Sequence, residues 1–163
     1  MRDLLLLAAL FLPAAVFGAG NLTDGDNFIV QQLKQRHPKV KWDKQSIKKA
    51  DINCDSKTDF AILGKEGEKV VVAVVLGPPA KDSKIILSRL LVGKHSQDSL
   101  CTARVRLSIE DHDYDPSEIF DGEPIPGFRQ SKTCKGINVG DGECDSFHYF
   151  WNHDLKTIDW WRL

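Results

Sequence analysis

The stretch VVVAVV, from Val70 to Val75, is apolar at every position and consists almost entirely of β-branched residues. β-branched side chains fit the pleated surface of a strand. A strand that is apolar on both faces is covered on both faces, as in the middle of a layered structure. We therefore predict a central strand over 69–76, and the other elements are placed around it.

Further strand patterns lie on both sides of this central strand. A short apolar run at 60–63 is joined to it through Lys65-Glu66-Gly67-Glu68, which is typical of a hairpin. Residues 110–130 lack periodicity and contain three prolines, which predicts a long loop. The remaining strands are predicted at 39–43, 84–92 and 103–109, with a last hairpin pairing 147–151 with 156–162.

One helix is predicted, over residues 24–36. Asp24 or Asp26 can cap its start, and Pro38 ends it. Its apolar side contains Phe28, Ile29 and Leu33, spaced for one face of a helix. The fold class that follows is α+β, a mainly antiparallel sheet of about five to seven strands with one N-terminal helix and two disulfides.

The first twenty residues have the layout of a secretory signal peptide. Arg2 gives a positive start, residues 4–12 are apolar, and small residues follow up to Gly20. The apolar run is too short to span a membrane, which needs about 20 residues. We expect cleavage after Gly18 or Gly20, a signal peptide at 1–20, a single domain at 21–163, and export to a periplasm or the cell exterior.

The four cysteines of the chain, Cys54, Cys101, Cys134 and Cys144, predict two disulfides in an exported protein. Three pairings are possible. If Asp141 and Gly142 form a hairpin turn, Cys134 and Cys144 lie about 16 Å out of register, which is too far for a bond. A Cys134–Cys144 bond therefore requires a wider loop, but its short separation in sequence still favours it, together with Cys54–Cys101.

Composition narrows the choice of partner. The formal net charge is −1 at pH 7, and such a balance gives no general attraction to nucleic acid. No later stretch is long and apolar enough to be a membrane span. We expect a protein or carbohydrate partner, no nucleic acid and no membrane span.

The segment 51–59, DINCDSKTD, places oxygen-bearing side chains at positions 1, 3, 5 and 9 of a loop. It resembles the calcium loops of integrin-type and dockerin-type repeats, in which a strand follows directly. The resemblance implies weak, extracellular-type calcium binding and one calcium-stabilised loop. It differs at Ser56, where those loops have glycine, and a metal-free turn is the alternative. The implied ligands are Asp51, Asn53, Asp55 and Asp59, with the carbonyl of Lys57.

Aromatic residues cluster in the last hairpin. On strand spacing, Tyr149 and Trp151 share one face, whereas Trp161 lies on the other. Core packing accounts for one aromatic face, and the second needs cover from the helix or the long loop. Where a face stays exposed, Tyr149, Trp151 and Trp161 are candidates for binding a sugar or a protein partner.

No catalytic constellation can be recognised in the sequence, so we predict no catalytic residue. The most consistent function is an exported, non-enzymatic binding or interaction module. The alternative is a small secreted hydrolase that uses carboxylates of the 110–121 loop with His148. Convergence of Asp111, Asp113 and Glu118 on His148 in one cleft would favour that alternative.

Overall fold

The computed structural model describes residues 23–93 and 96–163. The predicted signal peptide (1–20) lies outside these residues, so it and its cleavage site stay predictions. The described elements, in chain order, are α1 (Asp24–Arg36), β1 (Lys41–Ala50), β2 (Asp59–Glu66), β3 (Lys69–Val75), β4 (Ile85–Val92), β5 (Ser99–Leu100), β6 (Arg106–His112), a 3₁₀ helix (Pro116–Ile119), β7 (Ser131–Gly140), β8 (Phe147–Asn152) and β9 (Thr157–Trp161).

The strands form two sheets, one with the order β1-β2-β3-β4-β5 and one with the order β6-β7-β8-β9. Every pairing is antiparallel except that of β4 with the two-residue β5. The α+β class and the mainly antiparallel pairing are confirmed, but the predicted strand number was too low. β7 was not predicted, because lysine, threonine and glycine interrupt its apolar positions.

The central position of β3 is confirmed. Val70 to Val75 are all buried, and β3 lies in the middle of the five-stranded sheet. On one face of this sheet, Ile29 and Leu33 of α1 pack against Ala73 and its neighbours. On the other face, Val72 packs in a core shared with the four-stranded sheet. The described molecule thus has three layers, with the helix outermost and β3 covered on both sides.

The helix has the predicted bounds, but its cap is Thr23. The Thr23 hydroxyl accepts a hydrogen bond from the Asp26 amide, and the Asp26 carboxylate accepts one from the Thr23 amide. This reciprocal arrangement is a capping box, which satisfies two amides at the start of a helix. Ile29 and Leu33 are almost fully buried, as predicted.

Two disulfides are present, as predicted, but the expected pairing was wrong. Cys54 is bonded to Cys134, and Cys101 to Cys144. In the hairpin of β7 and β8, Val139 lies opposite Phe147. Cys144 is therefore in a connecting loop that is wider than the two-residue turn assumed for Asp141 and Gly142, and it pairs with Cys101 even so. Each bond joins a segment next to the five-stranded sheet to a segment of the other sheet.

The outer face of the four-stranded sheet is partly covered by the segment 113–130, which the sequence analysis predicted as part of a long loop. That loop begins later than predicted, since β6 extends to His112. Three aromatic side chains of the segment form the cover: Tyr114 and Phe120 contact Trp161, and Phe128 contacts Phe150. The second aromatic face of the last hairpin is thus covered by the loop.

Candidate functional site

A groove of about 170 Å³ lies between the edge of one sheet and the edge of the other. Its two sides are formed by Ile86, Leu87 and Ser88 of β4 and by Ile158, Asp159 and Trp160 of β9. All six residues are partly exposed. The floor consists of Val72, Val74 and Tyr149, which belong to the core between the sheets. The groove is therefore an opening of the apolar core to the surface.

Both strands that border the groove have a free edge in the described part of the chain. Residues 85–90 of β4 pair with β3 on one side and with no described strand on the other. β9 is the last strand of its sheet and pairs with β8 alone. A free edge carries backbone N–H and C=O groups that are available to a further strand.

Side-chain contacts hold the two edges side by side. The Lys84 ammonium donates to the Lys156 carbonyl oxygen at 3.0 Å. Farther along, the Ser88 hydroxyl and the Tyr149 hydroxyl are hydrogen-bonded at 2.9 Å. Burial raises the pKa of Tyr149, so its hydroxyl stays protonated and can keep this bond. These contacts fix the width of the groove without filling it.

The three aromatic residues proposed for binding have different positions. Tyr149 is buried at the groove floor. Trp151 is half-buried, and the Lys84 ammonium lies 5.8 Å from the centre of its ring. Trp161 lies on the opposite face of the sheet and is stacked on His148, with ring centres 4.0 Å apart. Of the three, Tyr149 alone lines the groove.

The segment 51–59 forms a loop whose side-chain oxygens face its own backbone. The Asp51 carboxylate accepts hydrogen bonds from the amides of Asp55 and Ser56. Asn53 accepts from the Asp55 amide, and Asp55 accepts from the Lys57 amide. Ser56 has a φ of 64°, the left-handed conformation for which the related calcium loops use glycine. The loop has the expected turn, but its oxygens already have partners.

Asp59, the ninth residue of this loop, is fully buried and acts on the backbone. One carboxylate oxygen accepts from the Ile52 and Asn53 amides at 2.8 and 3.0 Å, and the other accepts from the Gly77 amide at 2.6 Å. Burial raises the pKa of Asp59, while these three hydrogen bonds oppose the rise. Asp59 thus joins the loop to the segment after β3.

Within residues 23–93 and 96–163, no group of three or more His, Cys, Asp or Glu residues is placed to hold a metal ion. The Lys57 ammonium lies 3.7 Å from the Asp55 carboxylate, where it competes with a cation for that side chain. The carboxylates at 51–59 thus already have partners, and what supports calcium binding is the conformation of the loop. Calcium binding stays a prediction.

A second cluster of chemical interest lies on the outer face of the four-stranded sheet. His148 Nδ1 is 2.9 Å from Glu110 Oε2, and Asn138 donates to the same oxygen at 3.4 Å. His148 also stacks in parallel on Trp161. The carboxylate and the indole together fix the orientation of the imidazole.

His112 lies next to this cluster and is almost fully buried. Its Nε2 is 3.9 Å from Glu110 Oε1, and neither atom has a hydrogen-bond partner among the described residues. Burial lowers the pKa of His112, so the ring is neutral near pH 7. A Cβ at Gly136 would overlap the imidazole, so only glycine leaves room for this side chain.

The acidic residues proposed for a hydrolase do not share a hydrogen-bonded site with His148. Asp111 is paired with Lys135, and Asp113 accepts a hydrogen bond from Gln130. Glu118 lies on the 3₁₀ helix and is exposed. Of the carboxylates in the 110–121 loop, Glu110 is the one that contacts His148 in the described chain.

Comparison with known proteins gives no relative from which a function could be transferred. No protein-family model, no curated protein and no solved structure matches the chain. No helix in the described ranges is long and apolar enough to cross a membrane. The assignment of a function therefore depends on the geometry of the chain alone.

The residues that form the groove could not be recognised from the sequence. Ile86, Leu87 and Ile158 appear in the sequence as ordinary core positions of strands, because periodicity does not show which strand lies at an edge. Glu110, the partner of His148, lies within the predicted 110–121 segment but was not singled out there, because it is brought to His148 by the pairing of β6 in the sheet. The groove and the contact between Glu110 and His148 are both revealed by the order of strands in the sheets, and that order depends on long-range pairing.

Proposed function

We propose that this chain is an exported binding module, stabilised by two disulfides, that captures an extended segment of another polypeptide. Export is supported by the signal-peptide layout of residues 1–20 and by the pairing of all four cysteines. The proposed binding site is the groove between β4 and β9. A protein partner is favoured over a carbohydrate partner, because the groove is bordered by two strand edges.

The free edges of β4 and β9 carry this proposal. An extended peptide that pairs with a strand edge gains main-chain hydrogen bonds, and pockets for alternate side chains give it specificity. Here the edge groups flank an apolar floor, where every second side chain of such a peptide would be buried. The partner segment is expected to be apolar at alternate positions.

The proposal is tested by replacing one side chain of the groove. Ile86→Lys places a charge on the wall of the groove, where a bound peptide would have to desolvate it. We expect peptides selected from a random library on the mature, oxidised protein to bind this variant at least about tenfold more weakly. Binding is measured by fluorescence anisotropy with labelled peptides.

The matched control is Ile119→Lys, because Ile119 is 46% exposed and lies on the 3₁₀ helix, away from the groove. This variant should bind as the unmodified protein does. Equal binding by both variants, or a library from which no peptide can be selected, would rule out the groove as a peptide site.

The proposed module includes a calcium ion bound by the loop 51–59, in the role of a structural stabiliser. The left-handed conformation of Ser56 supports it, since this residue occupies the position of the conserved turn in calcium loops. Of the predicted ligands, Asp51, Asn53 and Asp55 with the carbonyl of Lys57 would hold the ion, whereas the buried Asp59 carboxylate is bonded to three backbone amides and would support the loop. The affinity is expected in the range of extracellular modules, about 10⁻⁴ to 10⁻³ M.

A hydrolase is the second candidate, and the hydrogen bond between Glu110 and His148 favours it. In that function Glu110 would orient the imidazole, and His148 would remove a proton from an attacking water. Against it, the predicted carboxylates do not gather at His148, and the groove is lined by other residues. Turnover of chromogenic esters or glycosides that disappears in His148→Gln would decide for the enzyme.

A further inference from the structure

A second concave region lies elsewhere on the five-stranded sheet, apart from the groove. It consists of a cavity of about 320 Å³ and an adjoining one of about 300 Å³. The two share Lys65, Val70 and Ala103 in their walls. A continuous depression of this size is in the range of small-molecule sites.

Two lysines stand next to each other in the wall of the larger cavity. Lys41 of β1 lies directly opposite Lys65 of β2 in the antiparallel pairing. Opposite residues of this kind share a face, with Cβ atoms about 5 Å apart, and like charges placed so are destabilising. Both side chains are exposed, and neither is in a described ion pair. An anion bound between the two ammonium groups would relieve the repulsion.

The rest of the larger cavity is largely apolar. Leu63 and Val70 lie on the same face as the two lysines and are 7% and 3% exposed. Val105, in the segment before β6, forms the facing wall and is half-buried. Asp43 is an acidic lining residue, and one of its oxygens accepts the Gln45 amide. The site therefore has a cationic mouth and an apolar floor.

We propose that this cavity binds a small organic carboxylate with an apolar body, independently of the peptide groove. The carboxylate would lie between the ammonium groups of Lys41 and Lys65, where charge-assisted hydrogen bonds are strong. The apolar body would cover Leu63, Val70 and Val105. A neutral or cationic compound of the same length lacks the first interaction.

The test is calorimetric titration of the mature, oxidised protein with octanoate, using octanol and octylamine as matched probes. We expect octanoate to bind at least about tenfold more tightly than octanol, the difference that one charge-assisted contact gives. Octylamine should not bind. Binding of octanoate should weaken as salt is added.

The decisive variant is Lys41→Gln/Lys65→Gln, which keeps the apolar floor and removes both charges. Because both lysines are exposed and their like charges repel, the variant is expected to fold, and a melting temperature that is not lowered checks this. Octanoate should bind this variant about tenfold more weakly than it binds the unmodified protein, with an affinity similar to that of octanol for the unmodified protein.

The control Lys81→Gln/Lys132→Gln removes two exposed lysines elsewhere and should leave the affinity for octanoate unchanged. Equal affinity for octanoate and octanol, no binding of octanoate, or full affinity in the Lys41/Lys65 variant would each overturn the proposal.

Discussion

Asp59 is a buried side chain that joins the loop 51–59 to the segment after β3. Its two carboxylate oxygens accept three backbone amides from two separate segments. Asp59 was predicted as a metal ligand, because spacing in the sequence reveals an oxygen-bearing side chain but not the group to which it is bonded. In the structure its role is to satisfy buried amides, which would otherwise be costly.

Asp59→Asn is expected to destabilise the fold by about 2 kcal/mol. Both oxygens of Asp59 accept backbone N–H groups, and in the variant the side-chain NH₂ of asparagine would face one of these N–H groups and leave it without an acceptor. The measurement is urea unfolding at neutral pH. The control is Asp55→Asn at an exposed position of the same loop, for which a change within about 0.5 kcal/mol is expected. Equal losses in both variants would show that Asp59 has no special role.

His112 predicts a dependence of stability on pH. Because burial lowers the pKa of His112 in the folded protein, the unfolded chain binds a proton more readily. The contribution of neutral His112 to the free energy of unfolding is therefore fully present above 6.5, the ordinary pKa of histidine, and is lost as the pH falls through the pKa of the folded protein. The loss amounts to about 1.4 kcal/mol for each pH unit by which the pKa is lowered. The titratable groups that act electrostatically on His112 are Glu110, His148, Lys135 and Asp111.

The measurement is urea unfolding of the protein and of His112→Gln at pH 7.5 and pH 5. The loss of stability on acidification should be smaller in the variant, whatever its stability at pH 7.5. His37→Gln is the control, since burial also lowers the pKa of His37 but the side chain is only half-buried. An unchanged pH dependence in His112→Gln would contradict the assignment.

At the scale of elements, local patterns predicted the helix and most strands, and long-range pairing decided the rest. The helix 24–36 and the central strand 70–75 follow from periodicity and from β-branched residues, which are properties of the segment itself. β7 was missed, because its apolar positions are separated by lysine, threonine and glycine. That β4 and β9 border a groove could not be predicted, since an edge is defined by the absence of a neighbour in space.

The loop 51–59 gives the prediction that belongs to this scale. Calorimetric titration of the mature, oxidised protein with calcium should give binding in the range of about 10⁻⁴ to 10⁻³ M. Asp51→Asn should weaken it, whereas Asp98→Asn, an exposed aspartate outside the loop, should not. No heat of binding and no shift in melting temperature at millimolar calcium would contradict calcium binding, and the loop would then be a metal-free turn.

At the scale of the whole molecule, two disulfides join the two sheets around their shared core. Cys54–Cys134 closes 80 residues and Cys101–Cys144 closes 43. Loops of this length remove much conformational freedom from the unfolded chain, so each bond is expected to contribute about 4 kcal/mol. The sequence predicted the number of bonds from the cysteine count. It favoured the wrong pairing, because a short separation in sequence was taken to favour Cys134–Cys144, whereas the observed bonds join segments that the two sheets bring together.

The groove and the lysine-lined cavity are separate features of the same scaffold. The groove depends on two free strand edges and an apolar floor, whereas the cavity depends on two like charges held opposite each other. Neither follows from composition, because the net charge and the apolar content of the chain are ordinary. Both follow from how the two sheets are placed.

The most direct measurement of the peptide-binding groove is amide hydrogen exchange, followed by NMR with and without a selected peptide. Outward-facing amides of β4 (85–90) and of β9 have no described strand partner and should exchange quickly in the free protein. On binding, those amides should become protected, because they donate to the new strand. Protection confined to other parts of the chain, with these two edges unchanged, would contradict the account.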